Sequence, residues 1–154
     1  MGVLRIREER GEKRMYMGLL LLGDECADMI DRYLDRGILF VGETAEGPVA
    51  VCVVTHESSG VVEIKNLAVD VRYQGRGYGT AMMKDVERRF SGYELLVGTG
   101  ETPSTLAFYR KLGFSDSHRV PDFFTDNYPM PIVEEGVLLR DMIYLRKVAC
   151  VSGG

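Results

Sequence analysis

The hydrophobic positions of this 154-residue chain follow two periods, and the period changes partway along. Alternation of apolar and charged residues over Leu4–Arg7 predicts a first strand. Met15–Leu22 reads as a short helix. Cys26, Ala27, Ile30, Tyr33 and Leu34 then recur at helical spacing, with Asp24 as N-cap and Gly37 as the stop. Ile38–Gly42 and Val49–Thr55 are β-rich and are joined by Glu46-Gly47-Pro48, so they read as a hairpin. Ser58-Ser59-Gly60 makes a second turn, and Val61–Val69 makes a further strand. Three antiparallel strands in a row are therefore expected.

After Val69 the pattern changes. Gln74–Gly79 is glycine-rich, and from Thr80 to Phe90 the apolar Met82 or Met83, Val86 and Phe90 recur every helical turn. Lys84, Asp85, Glu87, Arg88 and Arg89 fill the wet face. Gly92 ends that helix, and Tyr93–Thr99 reads as a buried strand. Strand, helix, strand implies a parallel crossover and hence a mixed sheet. Thr102-Pro103 opens another helix with Leu106, Tyr109 and Leu112 on one side and Gly113 as its C-cap. Phe114–Val120 and Val137–Arg146 read as two antiparallel strands. Between them lies Pro121–Gly136, rich in Asp, Phe, Tyr and Pro, and a connection that long is often functional. No repeat, low-complexity tract or linker divides the chain, so one domain over residues 1–154 is expected.

Composition narrows the class. The chain is 45% hydrophobic and 27% charged, ordinary for a soluble globular domain. No stretch approaches the roughly 18 apolar residues of a membrane span, and the N-terminus carries no export pattern. Cys26, Cys52 and Cys150 are odd in number and widely spaced. They give neither a disulfide framework nor metal-ligand spacing, so the expectation is a cytoplasmic protein without metal. A net charge of -4 speaks against a nucleic-acid partner and leans toward a cationic small one.

The densest chemical signal is Val69-Asp70-Val71-Arg72-Tyr73-Gln74-Gly75-Arg76-Gly77-Tyr78-Gly79, a strand feeding a glycine-rich turn that opens a helix. Main-chain N–H groups and the helix dipole can converge there on an anion, and glycine lets phosphate approach. GxxxxGK[ST] is missing, and the glycines run GxGxG rather than GxGxxG, so neither a P-loop nor a dinucleotide fingerprint fits. On its own the cluster also suits a plain turn and helix start.

Two motifs together decide the resemblance. Gln74, Gly77 and Gly79, preceded by Leu67-Ala68-Val69, match the coenzyme A signature of the GNAT superfamily of N-acetyltransferases. Downstream, Ala107-Phe108-Tyr109-Arg110-Lys111-Leu112-Gly113-Phe114 resembles that family's Tyr-x-x-x-Gly-Phe signature. The order, with a helix and a strand between them, is the family's own. The tail, including Asp122-Phe123-Phe124 and Arg140-Asp141-Met142, is similar to an uncharacterised bacterial branch.

The resemblance implies an α/β (α+β) GNAT fold: a mixed, mostly antiparallel sheet of about seven strands with a splayed parallel pair, flanked by about four helices. It implies acetyl-CoA as co-substrate and an amine of a small, cationic molecule or peptide as acceptor. Direct transfer in a ternary complex is expected, since no cysteine lies in the motifs. Amides around Gln74, Gly75, Arg76, Gly77, Gly79 and Thr80 would hold the pyrophosphate, while Leu67, Ala68 and Val69 would run beside the pantetheine arm. Arg76 is either a further phosphate contact or a solvated arginine. Ser104 stands where many relatives carry Asn. Homodimers are common among relatives.

Tyr109 matches the family's general acid, placed to hydrogen-bond the departing thiolate; the plain alternative is a core aromatic at helical spacing. A base is also needed, because freeing an alkylamine of pKa ~10.4 at neutral pH costs roughly 4–5 kcal/mol. Glu63 resembles the glutamate base of the histone-acetylating branch, with an exposed strand carboxylate as the alternative. Period two puts Glu63, Lys65, Leu67 and Val69 on one face unless a bulge near Asn66 shifts it. His56 and His118 have suitable intrinsic chemistry but lie in no motif. Asp122, Phe123, Phe124 and Tyr128 are the expected acceptor contacts, since carboxylates and aromatic faces suit a cationic amine. A solvated acidic loop is the bland reading of that segment. A non-catalytic coenzyme A-binding or regulatory module on the same fold is the competing function.

Overall fold

The computed structural model describes residues 3–149 and carries no ligand; Cys150 lies outside the described residues. Seven strands form one sheet: β1 (Arg5–Glu9), β2 (Ile38–Thr44), β3 (Gly47–Ser58), β4 (Val61–Val69), β5 (Glu94–Thr99), β6 (Ser115–Val120) and β9 (Met142–Val148). Their order is β1-β2-β3-β4-β5-β9-β6. Only β4 and β5 pair in parallel; all the other pairs are antiparallel. A separate two-stranded ribbon joins β7 (Val133–Glu134) to β8 (Val137–Leu138). The mixed sheet with one parallel pair is the architecture the two motifs implied.

The strands alternate between two cores, and the alternation decides which helix covers which face. Val51 and Val53 of β3 pack with Leu20, Ile30, Tyr33 and Leu34 from α1 (Met17–Gly23), α2 (Ala27–Asp31) and the turn after it. Ala50, Cys52 and Val54 point the other way. They meet Met82, Met83 and Val86 of α3 (Tyr78–Arg89) and Tyr109 of α4 (Pro103–Lys111). Burying each large apolar side chain contributes about 1.5–3 kcal/mol, so both faces hold their helices firmly.

Three expectations change in detail. The second helix begins two residues later than expected: Cys26, not Asp24, is its N-cap, and its regular part ends at Asp31. Asp24 is thereby released from capping a helix and stands at the C-cap of α1. The strand expected over Val137–Arg146 splits, since Val137 and Leu138 belong to the ribbon and sheet pairing starts at Met142. The long connection also holds a fifth helix, α5 (Phe123–Asn127), too short to show a helical period.

Candidate active site

Two surfaces meet where β4 and β5 part. The strands pair only from Val61 to Ile64 against Glu94 to Val97. Beyond Ile64, β4 runs on to Val69 while β5 continues only with β9. The edge of β4 from Lys65 to Val69 therefore has no strand on its β5 side, and an extended ligand can add there as another strand would. A cleft of about 290 Å³ opens at this splay, with Glu63, Asn66, Leu67, Gly98 and Tyr109 in its wall.

A bulge sorts the side chains of β4. Val53 pairs with Asn66 and Val54 with Ile64, so Lys65 is the extra residue. One inserted residue reverses the alternation. Leu67 and Val69 consequently face the α3/α4 side, whereas Glu63, Asn66 and Ala68 face the α1/α2 side. Of the two expected outcomes, a shared face or a bulge near Asn66 that shifts it, the structure has the bulge, and Glu63 is parted from Leu67 and Val69. The single feature that seemed a complication instead separates two chemistries.

On the α3/α4 side lies the glycine turn. Gly75 (φ 77°) and Gly77 (φ 84°) are left-handed, which explains glycine at both positions. Gly77 is the N-cap of α3 without any side-chain cap, and the first intrahelical bond runs from Ala81 N–H to Gly77 O at 3.0 Å. The preceding N–H groups of Tyr78, Gly79 and Thr80 are thus free to meet an anion, and the helix dipole adds positive potential. A second hollow, walled by Val69, Gly75, Gly77, Gly79, Thr80 and Phe108, sits at this helix mouth. These residues fit a diphosphate. Side chains here serve the turn itself: Gln74 Nε2 donates to Val69 O at 3.0 Å, and Tyr73 OH donates to Glu46 at 2.8 Å. Arg76 is exposed, with its guanidinium 5.0 Å from the Tyr73 ring centre.

Tyr109 reaches the cleft from the same side. It is buried between Phe108 and Phe114, whose rings meet it edge-on at 5.0 and 5.5 Å. Burial raises its hydroxyl above the ordinary phenol range, so it stays protonated at neutral pH and can donate. Ser104 is placed differently. It is exposed, outside both hollows, and its hydroxyl is held by the carboxylate of Glu135, which also accepts from Ser104 N–H at 3.2 Å. Glu135 thus caps α4 from the ribbon, and Thr105 occupies the cleft wall instead.

The opposite wall is a network of hydroxyls and carboxylates. Asp24 accepts from Tyr128 OH at 2.8 Å and from Tyr33 OH at 3.1 Å. Tyr33 OH in turn accepts from Asn66 Nδ2 at 3.1 Å. Burial, and then the charge of Asp24, push both tyrosine hydroxyls upward. Gly23 lets α1 end against β4, since a Cβ there would lie 2.2 Å from Asn66 Oδ1. Glu63 is 7% exposed and pairs with Lys65 at 3.1 Å. Its carboxyl is nonetheless raised above the ordinary 4.5, because desolvation outweighs the attraction of Lys65.

Phe123, Phe124 and Tyr128 stand in this wall as expected. Asp122 does not. It is exposed, caps α5 in a left-handed conformation (φ 55°) and donates its N–H to Asp141 at 2.9 Å. Two acids flanking the late loop are engaged in surface pairs, Asp116 with Arg110 and Asp141 with Arg119, which also pairs with Glu101. His56 is exposed against Phe90 and Tyr93, far from any role at the splay. Asp24, Tyr33, Asn66 and Tyr144 line the cleft beyond the residues expected there, together with Glu134, one of the acids of the late loop. Of the first four, Asp24 carried a signal, an acid just ahead of a helix, and that signal points equally to a cap.

A helix mouth shaped for diphosphate, beside a strand edge that opens into a cleft, is what a family comparison can now decide. Residues 35–116 match the model of the acetyltransferase (GNAT) domain. The chain belongs to the GNAT family of acetyltransferases. It is 32% identical over 152 residues to an uncharacterized N-acetyltransferase of Bacillus subtilis (strain 168), covering 94% of this chain and 97% of that one. A GNAT family acetyltransferase from Elizabethkingia anophelis, crystallised with acetyl-CoA bound, superposes with a TM-score of 0.88 at 33% identity, covering 94% and 97% of the two chains. A Bacillus subtilis acetyltransferase in complex with CoA gives 0.86 at 30% identity, covering 95% and 99%. This GNAT protein is thus an acyl-CoA-dependent N-acetyltransferase with acetyl-CoA as its acetyl donor. No helix among the described residues is long and apolar enough to cross a membrane. Among the same residues, no cluster of His, Cys, Asp and Glu could hold a metal.

Proposed function

We propose that this chain, as a single cytoplasmic domain over residues 1–154, acetylates a primary amine of a small cationic molecule or peptide by direct transfer within a ternary complex. The observation that carries this reading is the two-sided cleft, with Tyr109 on one side of the sheet and carboxylates on the other. Lys65 is already paired with Glu63. Among the described residues no Lys or Arg forms an ion pair with Asp24 or Glu134, so the acceptor wall keeps a negative balance that suits an ammonium ion. Phe123, Phe124 and Tyr128 add aromatic faces, with ring centres 5.4 to 6.4 Å apart.

In this reading the amides of Gly75 to Thr80 hold the diphosphate, and Leu67 to Val69 run beside the pantetheine arm. Ser104 is left out of the binding set, since Glu135 already engages it. Glu63 takes a proton from the bound ammonium. The freed lone pair forms the C–N bond at the thioester carbon, and the C–S bond breaks. The sulfur leaves as a thiolate that Tyr109 OH stabilises by a hydrogen bond, and the second proton of the acylated nitrogen passes to it, giving the neutral amide and the free thiol. Direct transfer is supported by the cysteines. Cys52 is fully buried, its thiol pushed up to about 12, and neither it nor Cys26 lines the cleft.

The test is calorimetry with acetyl-CoA followed by thiol release against polyamines, aminoglycosides, amino acids and peptide N-termini. Turnover with cationic amines at least tenfold above neutral ones supports the reading. Turnover confined to anionic or neutral acceptors, or burst release of one thiol without acceptor, overturns it.

A further inference from the structure

The geometry points to Tyr144 as the residue that positions the Glu63 carboxylate, acting across the sheet from β9. Strand order places β5 between them, and Tyr144 pairs directly with Gly98 of β5. A Cβ on Gly98 would lie 2.8 Å from Met142 Sδ and 3.0 Å from Tyr144 Cζ, the ring carbon that bears the hydroxyl. The hydroxyl-bearing end of the ring therefore lies over Gly98 of β5, the strand between β9 and β4. Only glycine leaves that path clear. Leu96, one alternation earlier on the same face, is the residue that pairs with Glu63. Both Tyr144 and Glu63 line the cleft.

The ring is held from behind. His118 of the edge strand β6 pairs with Tyr144 and stacks on it at 4.6 Å with 6° between planes. Facing Glu63 are Lys65 on its own strand, Glu57 of β3, Arg36 and Tyr144. Tyr144 is fixed by His118 and the strand pairing. Burial first, and then the charge of Glu63, keep the Tyr144 hydroxyl protonated. A rigid donor on this side of the cleft favours the ionised carboxylate and fixes its direction. Lys65 pairs with the same carboxylate at 3.1 Å through a flexible four-carbon stem, which supplies charge with less direction.

This inference rests on the reading of Glu63 as proton acceptor, and its test separates the two. Carbon-13 NMR of side-chain-labelled glutamate, with the Glu63 signal assigned by E63Q, follows its titration in wild type, Y144F and H118Q without any acceptor. Y144F should move the Glu63 midpoint upward by about half to one pH unit, as loss of one weak charge-assisted bond would. H118Q, which keeps a planar amide against the ring, should move it by less. G98A crowds the Tyr144 ring together with Met142, leaves the hydroxyl in place, and should shift the midpoint in the same direction. An unmoved midpoint in Y144F and G98A overturns the assignment. Where the midpoint moves but the acidic limb of kcat does not follow it, Tyr144 still positions Glu63 and the base reading alone falls.

Discussion

The two walls of the cleft are built by different means. The α3/α4 wall offers main chain: left-handed glycines, helix N–H groups without intrahelical partners and a bare strand edge. The α1/α2 wall works through side chains, with Asp24 tying the end of α1 to Tyr33 and, 104 residues later, to Tyr128. Main-chain sites tolerate side-chain change and fix one ligand. Side-chain networks are replaceable one member at a time. The division therefore predicts that acceptor choice and acetyl-CoA binding are separable by mutation.

The sharpest way to break this division is Glu63→Gln. It should lower kcat by about 10²–10³-fold at neutral pH while leaving acetyl-CoA affinity within twofold. A variant that loses cofactor affinity instead would place Glu63 on the wrong wall. Next comes Tyr109→Phe, with kcat down by roughly 10–100-fold through loss of one charge-assisted hydrogen bond. Steady-state turnover equal to wild type would remove Tyr109 from the chemistry.

Smaller effects sharpen the comparison. Asp24→Asn should raise KM for a cationic acceptor by about 5–30-fold, with KM for acetyl-CoA unchanged. Gly77→Ala should do the converse. A side chain at φ 84° costs about 1 kcal/mol, so acetyl-CoA affinity should fall about fivefold while saturated kcat holds. Calorimetry on both variants checks the pair together.

The smallest expected effect concerns stability. Glu63 has a raised folded pKa, so folding favours its protonated form. The penalty of ionising it is absent below the ordinary 4.5 and grows as pH rises through the folded value. Glu63→Gln removes that penalty, so its melting temperature should exceed wild type by roughly 1–3 °C at neutral pH. The gain should vanish below the ordinary carboxyl range. Equal melting curves across pH would mean that Lys65 compensates fully.

What the sequence disclosed follows the same line. Gln74 to Gly79 and Tyr109 to Phe114 are local: spacing along the chain is spacing in space, so turn, helix and cofactor wall could all be read. The parallel crossover followed from strand, helix, strand. The acceptor wall draws on Asp24, Tyr33, Asn66, Tyr128 and Tyr144, which no local spacing connects. Tyr33 looked like one more apolar member of a helix, and its hydroxyl became informative only beside Asp24. Asp122 was legible as an acid near aromatics, but its backbone turned it outward. The carboxylates of Asp116, Asp141 and Glu101, outside the loop itself, could not be seen to have arginine partners until the fold brought Arg110 and Arg119 to them.

Lys65 turns strand β4 into a two-phase element, with one parity on each side of it. Excising that one residue would leave the length of the protein almost unchanged yet exchange inside for outside along half the strand. Insertion or deletion alone can therefore carry Glu63 from one face of the sheet to the other, with no amino acid replaced.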